Sequence, residues 1–222
     1  MASMLSARCF SFAQHVFFEE ISPKFDEKAL KQVMDKLYIF FEKAFFRFEI
    51  ISSFYLRLYD EITDNEIKLA QISSSDKVLV IGSGSIPATA ELIVHKTKAE
   101  VYGIDKDQEA ISKGRQYIVT HGLESKLHLI HSEGSFFDVS RYDVIFVLYG
   151  IKGEQNIFHL IAEKMNPSAR VILRKPYDPT FNREQLPEYI QNNFSVKDMM
   201  ITPSLGSVVS LVLTSKKSFQ DH

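Results

Sequence analysis

The stretch Lys77-Val-Leu-Val-Ile-Gly-Ser-Gly-Ser-Ile-Pro-Ala-Thr-Ala-Glu-Leu-Ile-Val94 constrains the fold more than any other part of this chain. Val78 to Ile81 is uniformly apolar, as a parallel strand covered on both faces requires. Gly82 and Gly84 follow, giving a turn in which a ligand approaches the backbone without meeting a Cβ. Pro87 suits the first turn of a helix, where its missing N–H costs nothing. Strand, tight turn and helix N-terminus together are the usual seat of a nucleotide-type cofactor, although glycine pairs also occur in plain turns.

With 222 residues, the chain accommodates one domain or a domain with a substantial extension, and 45% hydrophobic residues supply a sizeable core. A net charge of −2, with no basic block beyond Lys216-Lys217, argues against a nucleic-acid partner. Cys9 is the only cysteine, which excludes an intrachain disulfide and a cysteine-based zinc site and fits a cytoplasmic location. Residues 1–18 are apolar and free of acids, but they lack an ordered charged region, apolar run and cleavage site. Tyr38 to Tyr59 is the most apolar long stretch. Glu42, Lys43, Arg47, Glu49 and Arg57 interrupt it, so it reads as a buried helical element rather than a membrane span.

Residues 1–72 read as a helical N-terminal part. Leu37, Phe41, Phe48, Tyr55 and Tyr59 fall close to one stripe at helical spacing, a pattern typical of core. Glu49 lies at the edge of that stripe, on a face it shares with Glu42, Phe45, Phe46, Ser52, Ser53 and Leu56. It is either a solvated surface glutamate or a carboxylate desolvated among phenylalanines, with its pKa raised. Ser73-Ser-Ser-Asp76 is a polar break, and a second domain is expected over 76–222.

Within that domain strands are expected at 78–81, 100–104, 127–130, 142–148 and 169–173. Helices are expected at 88–96, 108–120, 154–165 and 184–192. This alternation implies a mostly parallel sheet with helices on both faces. Two final strands, 195–200 and 207–214, are separated only by a short Pro- and Gly-containing link, which is too short for a parallel crossover and dictates an antiparallel hairpin. An α/β sheet, Rossmann-like, mostly parallel and closed by a C-terminal hairpin, resembles the class I S-adenosylmethionine-dependent methyltransferase fold.

In such a sheet ligands lie outside the carboxyl ends of the strands, beside the first strand. Four stretches are expected to converge there. Gly82-Ser83-Gly84 is the first. Asp105, at the end of the second strand, can accept two hydrogen bonds from a ribose diol. Ser132-Glu133-Gly134 follows the third strand, placed for an adenine edge, and Tyr149-Gly150 follows the fourth, nearest the reacting centre. NAD is the rival cofactor. The third glycine of the dinucleotide fingerprint is absent, since the spacing ends in Pro87, and the terminal hairpin departs from a six-parallel-strand sheet. S-adenosylmethionine is therefore the expected cofactor.

The wording of particular segments is closer to one family. Ile81-Gly-Ser-Gly-Ser-Ile-Pro87 resembles the glycine–proline motif of the nicotianamine synthase family, and Tyr142-Asp-Val-Ile-Phe-Val-Leu-Tyr-Gly150 resembles its fourth-strand motif. Glu163-Lys-Met-Asn-Pro-Ser-Ala-Arg-Val-Ile-Leu-Arg174 is similar to its helix–Pro–strand segment, and Ser207-Val-Val209 to its last strand. Arg47-Phe-Glu49 matches the family's Arg-Leu-Glu, whose glutamate is catalytic there. The chain departs from the pattern at Ser85, a proline in the family, and at Gly206, an asparagine there. What the resemblance implies is transfer of the 3-amino-3-carboxypropyl group of S-adenosylmethionine to an amine or amino acid, with release of methylthioadenosine.

On this reading Glu49 is the candidate base and Tyr149 a catalytic candidate that bonds substrate or cofactor, or else simply packs. Arg174 either pairs bidentately with a substrate carboxylate or forms a surface pair with Asp178. Tyr55 is a substrate-side candidate whose other reading is core. No metal site is expected: His128 and His131 are three apart on a strand and face opposite sides, while His95 and His121 suit helix C-termini. No membrane or nucleic-acid partner is expected. The alternatives are a small-molecule methyltransferase using the same cofactor and a binding protein without turnover.

Overall fold

The computed structural model describes residues 49–203 and 207–216, with side chains from Leu56 onward. The helices expected over residues 27–48 lie outside that range, as do the side chains of Glu49 and Tyr55. Helix α1 (Glu49–Ala70) leads into strand β1 (Lys77–Ile81), helix α2 (Ala88–Thr97), β2 (Glu100–Asp105) and α3 (Gln108–Thr120). Then come β3 (Leu127–His131), β4 (Val144–Val147), α4 (Glu154–Lys164), β5 (Arg170–Pro176), the short helix α5 (Glu188–Gln191), β6 (Phe194–Thr202) and β7 (Val208–Ser215).

The strands form one seven-stranded sheet in the order β3-β2-β1-β4-β5-β7-β6. The first five pair in parallel, whereas β7 runs antiparallel to both β5 and β6. This is a class I methyltransferase-like α/β fold. The hairpin follows from its link: a parallel return would need a crossover of a dozen or more residues.

Side-chain alternation along β1, β4 and β5 sorts the core into two layers. Leu79, Ile81, Ile145, Val147 and Leu173 face one way and pack with Ile157, Phe158 and Ile161 of α4. Val78, Val80, Val144, Phe146 and Ile172 face the other way and pack with Ala70 at the end of α1, Ile93 of α2 and Ile111 of α3. The compact unit containing the sheet begins at Phe54, so the rest of α1 belongs to it.

Sequence punctuation accounts for most element ends. Asp107 caps α3 by accepting from the N–H groups of Glu109 and Ala110. Lys98 closes α2 in the left-handed region, at φ 64°. One expectation needs correction: residues 184–192 are not one helix. A 3₁₀ turn at Arg183–Gln185 is separated from α5 by Leu186 and Pro187, both extended. A residue before proline is driven out of the α region, and Leu186 sits there.

Helix α1 is fastened to the sheet by two arginines on the same face of β5. Arg170 donates to the carbonyls of Ala70 (2.6 Å) and Gln71 (3.1 Å) at the helix end and pairs with Asp76. Arg174 donates through Nε and one terminal nitrogen to both oxygens of Glu66, at 2.9 and 2.5 Å. Glu66 is fully buried and Arg174 nearly so. Removing one member of such a pair strands a charge in the interior, whereas replacing both by apolar groups does not. Glu66→Ala is expected to lose about 3–5 kcal/mol of unfolding free energy. The double variant Glu66→Met/Arg174→Met should stay near or above the parent, as read from urea denaturation midpoints.

Candidate cofactor site

Strand β1 pairs with β2 on one side and β4 on the other, so chain direction diverges at its carboxyl end and leaves a crevice there. The turn that follows needs its glycines, because Gly82 and Gly84 have φ of 83° and 66°. The N–H groups of Gly82 and Ser83 both donate to the carbonyl of Ile104, at 2.8 and 3.0 Å. That of Gly84 donates to Oδ2 of Asp105 at 2.9 Å. The three N–H groups of the glycine turn therefore already have acceptors within the protein. A pyrophosphate would need them free, which argues against a dinucleotide at this turn.

Asp105 organises three loops. Its Oδ1 accepts from the N–H of Asp107 at 3.0 Å, and its carbonyl accepts from Ser132 at 3.0 Å. Each carboxylate oxygen thus receives one backbone N–H and keeps capacity for another donor. A half-buried carboxylate of this kind, with acceptor positions left over, suits a ribose diol.

Small residues let these loops close on one another. A Cβ on Gly103 of β2 would lie 2.6 Å from Leu129 Cδ2 and 2.8 Å from Ser83 Cβ. One on Gly134 would lie 2.9 Å from Ile81 Cγ2, and one on Gly114 of α3 would meet Leu129 at 2.6 Å. Gly82 itself faces the Ile151 side chain, whose Cγ1 would be 3.2 Å from an added Cβ. The loop between β4 and α4, which carries Tyr149, thereby sits against the glycine turn.

The expected residues take up distinct positions. Gly82, Gly84, Asp105, Ser132 and Gly134 come together around the ends of β1, β2 and β3, and Glu133 is exposed beside them. Ser83 belongs to the turn, but its hydroxyl is buried, has no hydrogen-bond partner and faces the backbone at Gly103 instead of solvent. Tyr149 is 47% exposed after β4.

Arg174 differs from both sequence readings. Its fork is filled by Glu66, while a terminal nitrogen reaches Thr89 Oγ1 at 3.2 Å in the first turn of α2. The Asp178 pair does not form, because the Asp178 carboxylate accepts from the Thr180 N–H and hydroxyl, both at 2.7 Å; these bonds hold its pKa below the usual range. Tyr59 packs under the Arg174 guanidinium, 5.4 Å from ring centre to charge. Burial raises its phenol, and the Arg174 charge opposes the rise.

Sequence reasoning missed Glu66, which also accepts from Ser210 Oγ at 2.7 Å. A signal was present: Glu66 lies four residues from both Ile62 and Ala70, on the buried stripe of α1. Its partner in strand β5 left no comparable trace.

The histidines are engaged individually. His95 bonds Glu91 at 3.3 Å, His121 Nδ1 lies 2.8 Å from the Tyr117 carbonyl, and His131 lies 2.9 Å from that of Lys106. Among the described residues no group of three or more His, Cys, Asp or Glu stands where it could hold a metal ion. None of their helices is long and apolar enough to cross a membrane.

No family model matches the chain. It is 30% identical over 120 residues to L-histidine 2-aminobutanoyltransferase of Yersinia pestis, covering 54% of this chain and 45% of that protein. It is also 30% identical over 119 residues to a probable cobalt-precorrin-6B C(15)-methyltransferase (decarboxylating) of Saccharolobus solfataricus, covering 51% and 59% respectively. The chain thus spans about half the length of the curated relatives it matches. Among solved structures, a point mutant of MtNAS in complex with S-adenosylmethionine superposes with TM-score 0.66 over 97% of this chain and 92% of that one, at 16% identity.

The tight packing at Gly103 yields a prediction. Gly103→Ala must displace Leu129 and Ser83, and overpacking of this kind costs about 1–3 kcal/mol. A lowered denaturation midpoint, with far-UV circular dichroism unchanged, would register it.

Proposed function

We propose that this protein is an S-adenosylmethionine-dependent transferase that moves the 3-amino-3-carboxypropyl group to an amine or amino acid and releases methylthioadenosine. The observation that carries the reading is the 30% identity to a histidine aminobutanoyltransferase over 120 residues, about half of the chain. Asp105 and the glycine turn support the cofactor. The turn's N–H groups are engaged internally, and the carboxylate keeps acceptor capacity for a diol, as a nucleoside without phosphate requires.

Bound S-adenosylmethionine supplies a sulfonium with three electrophilic carbons, so the carbon lying in line with the nucleophile decides the product. The protein's part is positional. Gly82 and Gly84 let the backbone approach the ligand, Asp105 accepts the ribose hydroxyls, and Ser132, Glu133 and Gly134 border the adenine. Tyr149 borders the reacting end. Glu49, from the helical part at 1–72, takes the proton from the acceptor amine, which needs a free lone pair to attack. Tyr55 flanks the acceptor on this reading. Both side chains lie outside the described residues, so their roles rest on the motif. The cytoplasm is the compartment that a lone cysteine suits.

A second reading, a small-molecule methyltransferase, draws on the equal identity to the precorrin enzyme. One assay separates them. Purified protein is incubated with labelled S-adenosylmethionine and L-histidine or other amines, and the nucleoside product is identified. Methylthioadenosine is expected; S-adenosylhomocysteine would transfer the assignment to the second reading. In the same assay Glu49→Gln should lower kcat by about 10²–10⁴-fold, the usual share of a general base. Asp105→Ala should weaken S-adenosylmethionine binding by about ten- to a hundred-fold, as loss of hydrogen bonds to a charged acceptor does.

A further inference from the structure

With the Arg174 fork closed on Glu66, another cation is needed if the acceptor carries a carboxylate. The residue after it in β5, Lys175, points to the opposite face of the sheet. That face is the one covered by α4, at the carboxyl end of the strand where ligands of such sheets lie. Lys175 Nζ lies 3.5 Å from Glu154 Oε1 in the first turn of α4, and the two side chains are 27% and 24% exposed. Tyr189 donates its hydroxyl to the same Glu154 oxygen at 2.8 Å, and burial, then this bond, raise its pKa.

Glu154 also occupies a telling place along the chain. Ile151, three residues earlier, abuts Gly82 of the cofactor turn, and Ile157, three residues later, abuts Gly134 of the adenine loop. Glu154 therefore lies three residues along the chain from each of two residues that touch the loops at Gly82 and Gly134. Among the described residues Lys175 has Glu154 as its one acceptor, so its ammonium retains donors; the second Glu154 oxygen has no donor at all. An ammonium with donors to spare and an unengaged carboxylate oxygen side by side match the two ends of an α-amino acid.

We propose that Lys175 and Glu154 form the subsite for the α-amino-acid group of the acceptor, Lys175 binding its carboxylate and Glu154 accepting an N–H from its amino group. This deepens the transferase reading and rests on it for the acceptor's chemical class. Tyr189 is the positioning residue, holding the Glu154 carboxylate so that its other oxygen faces the ligand.

Calorimetric titration of the full chain saturated with methylthioadenosine tests it, with L-histidine and histamine as probes that differ by one carboxylate. The parent should bind L-histidine more tightly than histamine. Lys175→Met should weaken L-histidine binding about ten- to a hundred-fold, bringing it level with histamine, and Lys175→Arg should keep most of the preference. Glu154→Gln should weaken both probes. Binding of S-adenosylmethionine and the melting temperature should change little in these variants, because a partly exposed pair at 3.5 Å contributes little to stability. An unchanged ratio of the two probes in Lys175→Met, or no preference in the parent, overturns the subsite. Because binding is read without turnover, absence of methylthioadenosine in the product assay would overturn the transferase reading while leaving the subsite standing.

Discussion

Everything at the carboxyl edge depends on β1 being hydrogen-bonded on both sides by parallel neighbours, β2 and β4. A strand so placed has no solvent face, so Val78 to Ile81 are apolar without alternation and almost wholly buried. The connections from β1 and β4 then leave the sheet on opposite faces, which opens a crevice at the end of β1. The turn at Gly82–Gly84 lines that crevice with backbone.

The walls of this candidate site are tied together by Asp105. One residue holds the N–H of Gly84, that of Asp107 and, through its carbonyl, that of Ser132. Three loops from three strands are thereby referenced to a single residue, two through its carboxylate and one through its carbonyl. Preorganisation of this sort lowers the entropy cost of binding, since the loops are ordered before a ligand arrives. The glycines at 103, 114 and 134 serve the same end by letting backbone and helix approach where a methyl group would collide.

On the α1 face, the buried pair of Arg174 and Glu66 performs a different task. Desolvation of two charges offsets much of their attraction, so the pair contributes modestly to stability. Its reach is wide, however: α1 through Glu66, α2 through Thr89, β5 through Arg174 and β7 through Ser210. One hydrogen-bonded cluster thus sets the register of two helices on two strands. It also commits Arg174 to structure and leaves Lys175, on the other face, as the cation at that strand end.

Local pattern in the sequence determined much of this. The strand–turn–helix at Gly82, the α3 limits at Gln108 and Thr120, the order of elements and the terminal hairpin are written in short-range periodicity, caps and link lengths, which act within a few residues. Tertiary structure alone decided which polar groups meet. Arg174 looked equally suited to a ligand or to Asp178, and only the packing of α1 across β5 brought Glu66, 108 residues away, into its fork. Likewise the pairing of Lys175 with Glu154 depends on α4 crossing back over β5. Local propensity is carried by neighbours in sequence, whereas the partner of a charge is fixed by how distant elements pack, and no spacing within one element encodes it.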